Sequence, residues 1–140
     1  MQKILQFVSY LTIILTLGLI GVVAYWLIYP YEPITFTQPH VVLNKEVARG
    51  EHVLYRVDYC KNVNSIPIVT KTFVDSILYA VPEIVATEKF IGCGSQVVSM
   101  YVPKALLTGE FYIEIVYHYQ VNPIRTIDVV SKTERFTIVK

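Results

Sequence analysis

Between Ile4 and Tyr29 the chain reads ILQFVSYLTIILTLGLIGVVAYWLIY, without a single Asp, Glu, Lys, Arg or His. A buried helix of a soluble protein this long normally keeps a polar face, and this stretch has none. As a helix it would extend about 39 Å at about 1.5 Å per residue. A bilayer core is about 30 Å thick, so the run can cross with tilt or with its ends among the headgroups. Tyr25, Trp26, Tyr29 and Tyr31 cluster at its far end. Such rings settle at the membrane–water interface. Pro30 and Pro33 then stop the helix.

The competing reading is a cleaved signal peptide, with Val22-Val23-Ala24 as a small-residue cleavage site. The apolar run continues past that point through Ile28, beyond the usual length of a signal core, which favours an uncleaved anchor. Lys3 and the terminal amine lie on one side, and the other has no Lys or Arg before Lys45. The positive-inside rule then predicts N-in, C-out insertion in the cell (inner) membrane. The expected organisation is a cytoplasmic stub at 1–3, a transmembrane helix at 4–29, a Pro-rich linker at 30–40 and an extracytoplasmic β domain at 41–140. Ser9, Thr12 and Thr16 share a helical face and are candidates for packing against another helix.

Charge excludes one class of partner. Only Lys3 precedes residue 30, so the remainder balances its basic residues with all 11 Asp and Glu. A neutral domain without a basic run is a poor nucleic-acid binder.

Beyond the linker the pattern is short alternating runs between turn residues, which predicts an all-β domain. Strands are expected at Val41–Val47, Glu51–Cys60, a long run Ile68–Val81 ended by Pro82, Gln96–Val102, Gly109–Val121 and Arg125–Val139. In the strongest of these, Phe111, Ile113, Ile115, Tyr117, Tyr119 and Val121 share one face, while Glu114 and His118 face solvent. The phase of the last run shifts between Val129 and Phe136, which predicts a bulge or kink near Ser131–Glu134. Six or seven strands with no helix to cover them imply two sheets packed face to face.

Leu107-Thr108-Gly109-Glu110-Phe111, followed by an alternating strand and a hairpin back, resembles the corner of immunoglobulin-like and fibronectin-III-like sandwiches. The resemblance implies an Ig-like two-sheet antiparallel sandwich behind a single N-terminal transmembrane helix. It lacks the corner tyrosine, where Phe111 stands, and the family disulfide, where Ile113 stands. The core tryptophan is also missing, since Trp26 is the only Trp. A likeness of architecture carries no function. The layout, ending in Tyr119-Gln-Val-Asn-Pro-Ile-Arg125, is also similar to uncharacterised membrane proteins of bacteria and their tailed phages.

Cys60 and Cys93 are the only cysteines, and outside the cytoplasm such a pair is expected as a disulfide. Gly92-Cys93-Gly94-Ser95 reads as a turn that permits the bond rather than as a nucleophile elbow. With no CxxC or HxxxH, a zinc site would need both cysteines and two of His40, His52 and His118 to meet by chance. No metal, no cofactor and no catalytic residues are therefore expected. The segment Asn122, Pro123, Ile124 and Arg125 joins the two strongest strands. It is a plain turn or a binding tip, with Arg125 supplying charge and Ile124 an apolar end. The function expected is a non-enzymatic, membrane-anchored binding module with an unknown protein partner. The alternative is a small envelope or virion component that self-associates through its strand edges.

Overall fold

A computed structural model describes residues 2–75, 78–85 and 91–140. It opens with α1 (Gln2–Ile28), whose side chains are not buried by the rest of the chain. By length and composition this helix is able to cross a membrane. Thr12 donates its hydroxyl to the Val8 carbonyl at 2.9 Å and Thr16 to the Thr12 carbonyl at 2.8 Å. Both hydroxyls are thus satisfied within the helix.

Among the described residues ten strands follow: β1 (Ile34–Phe36), β2 (Val41–Val42), β3 (Glu46–Ala48), β4 (His52–Lys61), β5 (Ile68–Val74), β6 (Leu78–Val85), β7 (Gly92–Tyr101), β8 (Gly109–Asn122), β9 (Arg125–Lys132) and β10 (Phe136–Val139). In one sheet β4 is central, with β1 and β2 end to end on one side and β7 on the other. In the other, β8 is central, flanked by β5 and then β6 on one side, and by β9 and β10 end to end on the other. Val53, Tyr55 and Val57 of β4 and Met100 of β7 share one core with Phe73 of β5 and Phe111, Ile113 and Ile115 of β8. The two sheets therefore face one another as a sandwich, the alternation of each strand sending every second side chain inward.

Four expectations are corrected. The 30–40 segment is not a free linker: β1 pairs with β4, and Pro33, Ile34 and His40 are buried. The strand expected at Val41–Val47 is two strands. β2 pairs with β4 in one sheet, then the chain crosses and β3 runs parallel to β10 in the other, so the sandwich is not wholly antiparallel. Pro82 does not end a strand but lies within β6. There the ladder steps from Val69–Ile84 to Lys71–Val81, so two residues of β6 stand against Thr70 alone. β6 is an edge strand, and edges and bulges are where a strand tolerates a residue with no N–H. Finally, Gly92–Ser95 is not a turn but the start of β7, with Cys93 directly opposite Cys60. Gly92 has φ +131°, so the glycine serves the entry into that strand.

The kink near Ser131–Glu134 is present as the break between β9 and β10. Thr133 bridges it: its hydroxyl accepts the Ile113 N–H at 2.9 Å and its own N–H donates to the Ile113 carbonyl at 3.0 Å.

Candidate functional site

The β8–β9 tip lies against the end of α1. Asn122 closes β8, its Nδ2 donating to the Trp26 carbonyl at 3.0 Å. Its Oδ1 accepts the Ile124 N–H at 3.1 Å, an Asx turn that sets the shape of the tip. Arg125 opens β9, and its Nη1 donates to the carbonyls of Leu27 at 2.9 Å and Tyr29 at 2.7 Å. The guanidinium carbon also stands 6.0 Å from the centre of the Tyr31 ring.

These contacts answer a need of the helix. Its last carbonyls have no partners inside it, and the end carries partial negative charge. α1 has no basic residue in its own last turn. A cation almost a hundred positions away supplies that charge, with one bond to a carbonyl of the last turn, Leu27, and one to Tyr29 just past it. Because Arg125 stays partly solvated, the gain is of the order of 1 kcal/mol. A second clasp holds the same junction: Asn62 donates its backbone N–H to the Pro33 carbonyl at 2.9 Å and its Nδ2 to that of Glu32 at 3.0 Å. Tyr25, Tyr29 and Tyr31 form a continuous run beside it, with ring centres 5.0 and 4.8 Å apart.

The structure thus brings together two groups of residues that the sequence offers separately: the aromatic cluster at the helix end and the Asn122–Arg125 tip. The polar ends of the tip engage the chain's own helix, and Pro123 and Ile124 point outward, exposed. Cys60 and Cys93 form a disulfide at the same end of the sandwich, where β4 begins to leave its sheet toward Asn62.

No protein-family model matches the chain, and no curated protein matches it. A solved structure similar to it is that of a Niemann-Pick type C2 protein from Japanese carpenter ant. The TM-score is 0.48 and the identity 10%, over 79% of this chain and 100% of that chain. At that level no residue's role passes from one chain to the other. The likeness to bacterial and phage membrane proteins finds no support in these comparisons.

A second constellation was not singled out in the sequence. His40, 1% exposed, shares a hydrogen bond between Nε2 and the Ser131 hydroxyl at 2.7 Å. Its ring stacks 6.1 Å from Tyr55 and meets Phe36 edge-on at 5.0 Å. Lys71 is also buried, on Tyr55, its ammonium 5.9 Å from that ring's centre. His40 Nδ1 and the Tyr55 hydroxyl are buried without hydrogen-bond partners among the described residues. A cleft of ≈ 570 Å³ between β1 with its following turn and β9 has Ile34, Phe36, Pro39, Val129 and Ser131 among its walls.

Burial dominates the electrostatics of this cluster. It pulls His40 down to about 4, against the opposing attraction of Asp58. Lys71 is lowered by burial alone. Burial, with neighbouring phenols adding to it, raises Tyr55 and Tyr117, and pushes Tyr119 up to about 12. A base near 4 takes a proton from a serine hydroxyl far less readily than one poised near 7. The Ser131–His40 pair therefore reads as a polar tie between β9 and the segment ahead of β2. Its signal was present as parity. His40 alternates with Val42, and Lys71 sits between core residues Val69 and Phe73. A linker assignment for 30–40 hid the first, and the rarity of buried lysine hid the second.

His118 is satisfied at the surface, with Nδ1 2.7 Å from Asp128 and Nε2 3.2 Å from Thr70. Both cysteine sulfurs are in the disulfide, and no metal-ligand cluster occurs among the described residues.

Proposed function

We propose that this chain is a single-pass, membrane-anchored interaction module. In this reading α1 is retained in the cell (inner) membrane, N-in, and a non-enzymatic Ig-like sandwich is presented outside the cytoplasm to a protein partner. One observation carries the reading: the Asn122 and Arg125 bonds to the carbonyls of Trp26, Leu27 and Tyr29. A cleavage after Ala24 would leave those residues as a frayed terminus, and the tip would have no helix end to cap. The bonds to a helix end that continues past Ala24 support a helix that is retained.

A second reading, assembly of copies through strand edges, draws on β7. Among the described residues this ten-residue strand pairs only with β4, and Val97 on it is 56% exposed. A long open edge invites another strand. Chemical crosslinking on intact membranes separates the two. A crosslinked species containing one copy and a different protein is the expected result. A ladder of multiples of the 16.0 kDa chain would favour assembly instead. Absence of both would count against either role.

A further inference from the structure

We infer that the helix-facing end of the sandwich is itself a membrane-contact surface, seated in the headgroup layer beside the anchor. The inference rests on reading α1 as a membrane span and adds to it where the domain sits. α1 has 27 residues, about 40 Å of helix, against an apolar core of about 30 Å and a bilayer of about 40–45 Å with its headgroups. The last residues of the helix therefore lie within the interfacial layer, which is only about 5–8 Å deep on each side. The β8–β9 tip is hydrogen-bonded to the carbonyls of those very residues. Ile124, one residue from Arg125, cannot be held clear of that layer while the bonds persist.

The chemistry of the two ends of the sandwich fits such a seat. At the helix end, β4 finishes and β5 is approached through 62–67, β7 is entered from Ile91, and β8 turns into β9. The described connections there, 29–33, 62–67, 91 and 122–125, hold two charges, Glu32 and Arg125, while Glu88 and Lys89 of the β6–β7 connection lie outside the described residues. Arg125 is already committed to the helix end. Between them stand the exposed isoleucines Ile66, Ile91 and Ile124, on three separate connections. Their neighbours are neutral amides, Asn62, Asn64 and Asn122. The opposite end carries exposed Lys45, Arg49, Glu51, Asp75 and Lys104. Neutral polar groups with single apolar tips suit the headgroup region, and a dense set of charges suits bulk water. The occupant of this surface is thus the bilayer that α1 crosses, and the sandwich stands with its charged end pointing away.

The experiment uses the full chain in vesicles containing lipids brominated at a shallow chain position. Native Trp26 reports the anchor. Then, with Trp26 replaced by Phe, single tryptophans are placed by Ile124→Trp, Ile91→Trp and Ile66→Trp, with Leu107→Trp as the distal reference. Trp26 quenched, and Trp at 124 and 91 quenched at least about twofold more than at 107, is the expected pattern for interfacial residues. Trp26 quenched with position 124, 91 and 66 all behaving like 107 would overturn the seating and leave the anchor intact. An unquenched Trp26 would remove the anchor and this inference with it. If one variant fails to fold, the other positions still decide.

Discussion

Replacing Cys93 by Ser is expected to lower the unfolding free energy by up to about 4 kcal/mol, the chain-entropy value for a loop of this length. The disulfide joins positions 33 apart in sequence that face one another in the β4–β7 ladder. It encloses the β5–β6 hairpin and both of its connections. It lies within one sheet, so it does not pin the two sheets through the core as in the Ig pattern. Its work is to hold the helix end of β7, where Gly92 to Gln96 are exposed and bring no buried side chain. The other end of the ladder has buried Val53 and Met100 and does not need it. Hydrogen exchange on the Cys93→Ser variant should show loosening first across 61–75 and 91–96, with 109–132 protected longest. Denaturant melting should show reductant lowering the wild-type midpoint and leaving the variant unmoved. Uniform loosening of all strands would mean that the bond is central, contrary to its place in the fold.

Acid should destabilise the sandwich through His40. Its value is about 4 in the folded chain and 6.5 as the ordinary reference. The unfolded chain therefore binds the proton more readily. Stability from the neutral ring is complete above about 6.5 and is lost as pH falls from there to about 4. The full loss is roughly 3 kcal/mol, since each tenfold step is worth about 1.4 kcal/mol. The ring has no room to become a solvated cation: it is buried against Phe36 and Tyr55. Carboxylates also titrate toward the lower end of this range, so the test is a difference. Stability measured from pH 7.5 down to about 4 should fall more steeply in the wild type than in His40→Gln, and the curves should converge in acid. Parallel curves would show that His40 contributes nothing to the acid limb.

The parts of the fold that were legible in the sequence are those where one physical pattern acts alone. The uncharged run reads as one long apolar helix, and the alternation of Phe111 to Tyr119 marks the inner face of β8 directly. The phase shift after Val129 announces the β9–β10 break because a residue inserted into an alternation moves every later side chain to the other face. Legibility failed where tertiary pairing overrode a local signal. Pro33 and Pro39 suggest a linker, yet the three residues of β1 find the free edge of β4. Gly92 and Gly94 suggest a turn, yet ladder hydrogen bonds and the disulfide extend β7 through them. The candidate site was half legible. Both of its halves carry local marks, an aromatic cluster and an Asn-Pro tip. That they meet depends on a contact spanning almost the whole domain, which no local pattern records.

The central claim is that α1 remains attached and that the sandwich lies across the membrane from Lys3. The most direct measurement treats sealed vesicles of known sidedness, cytoplasmic face inward, with protease, using a tag placed after Lys140. Intact mass is recorded on the same preparation. The account predicts a mass that includes Lys3 and the whole of α1, rapid loss of the tag without detergent, and a membrane-protected N-terminal fragment. A mass lacking the residues up to about Ala24, or a tag that is lost only after detergent, would contradict it.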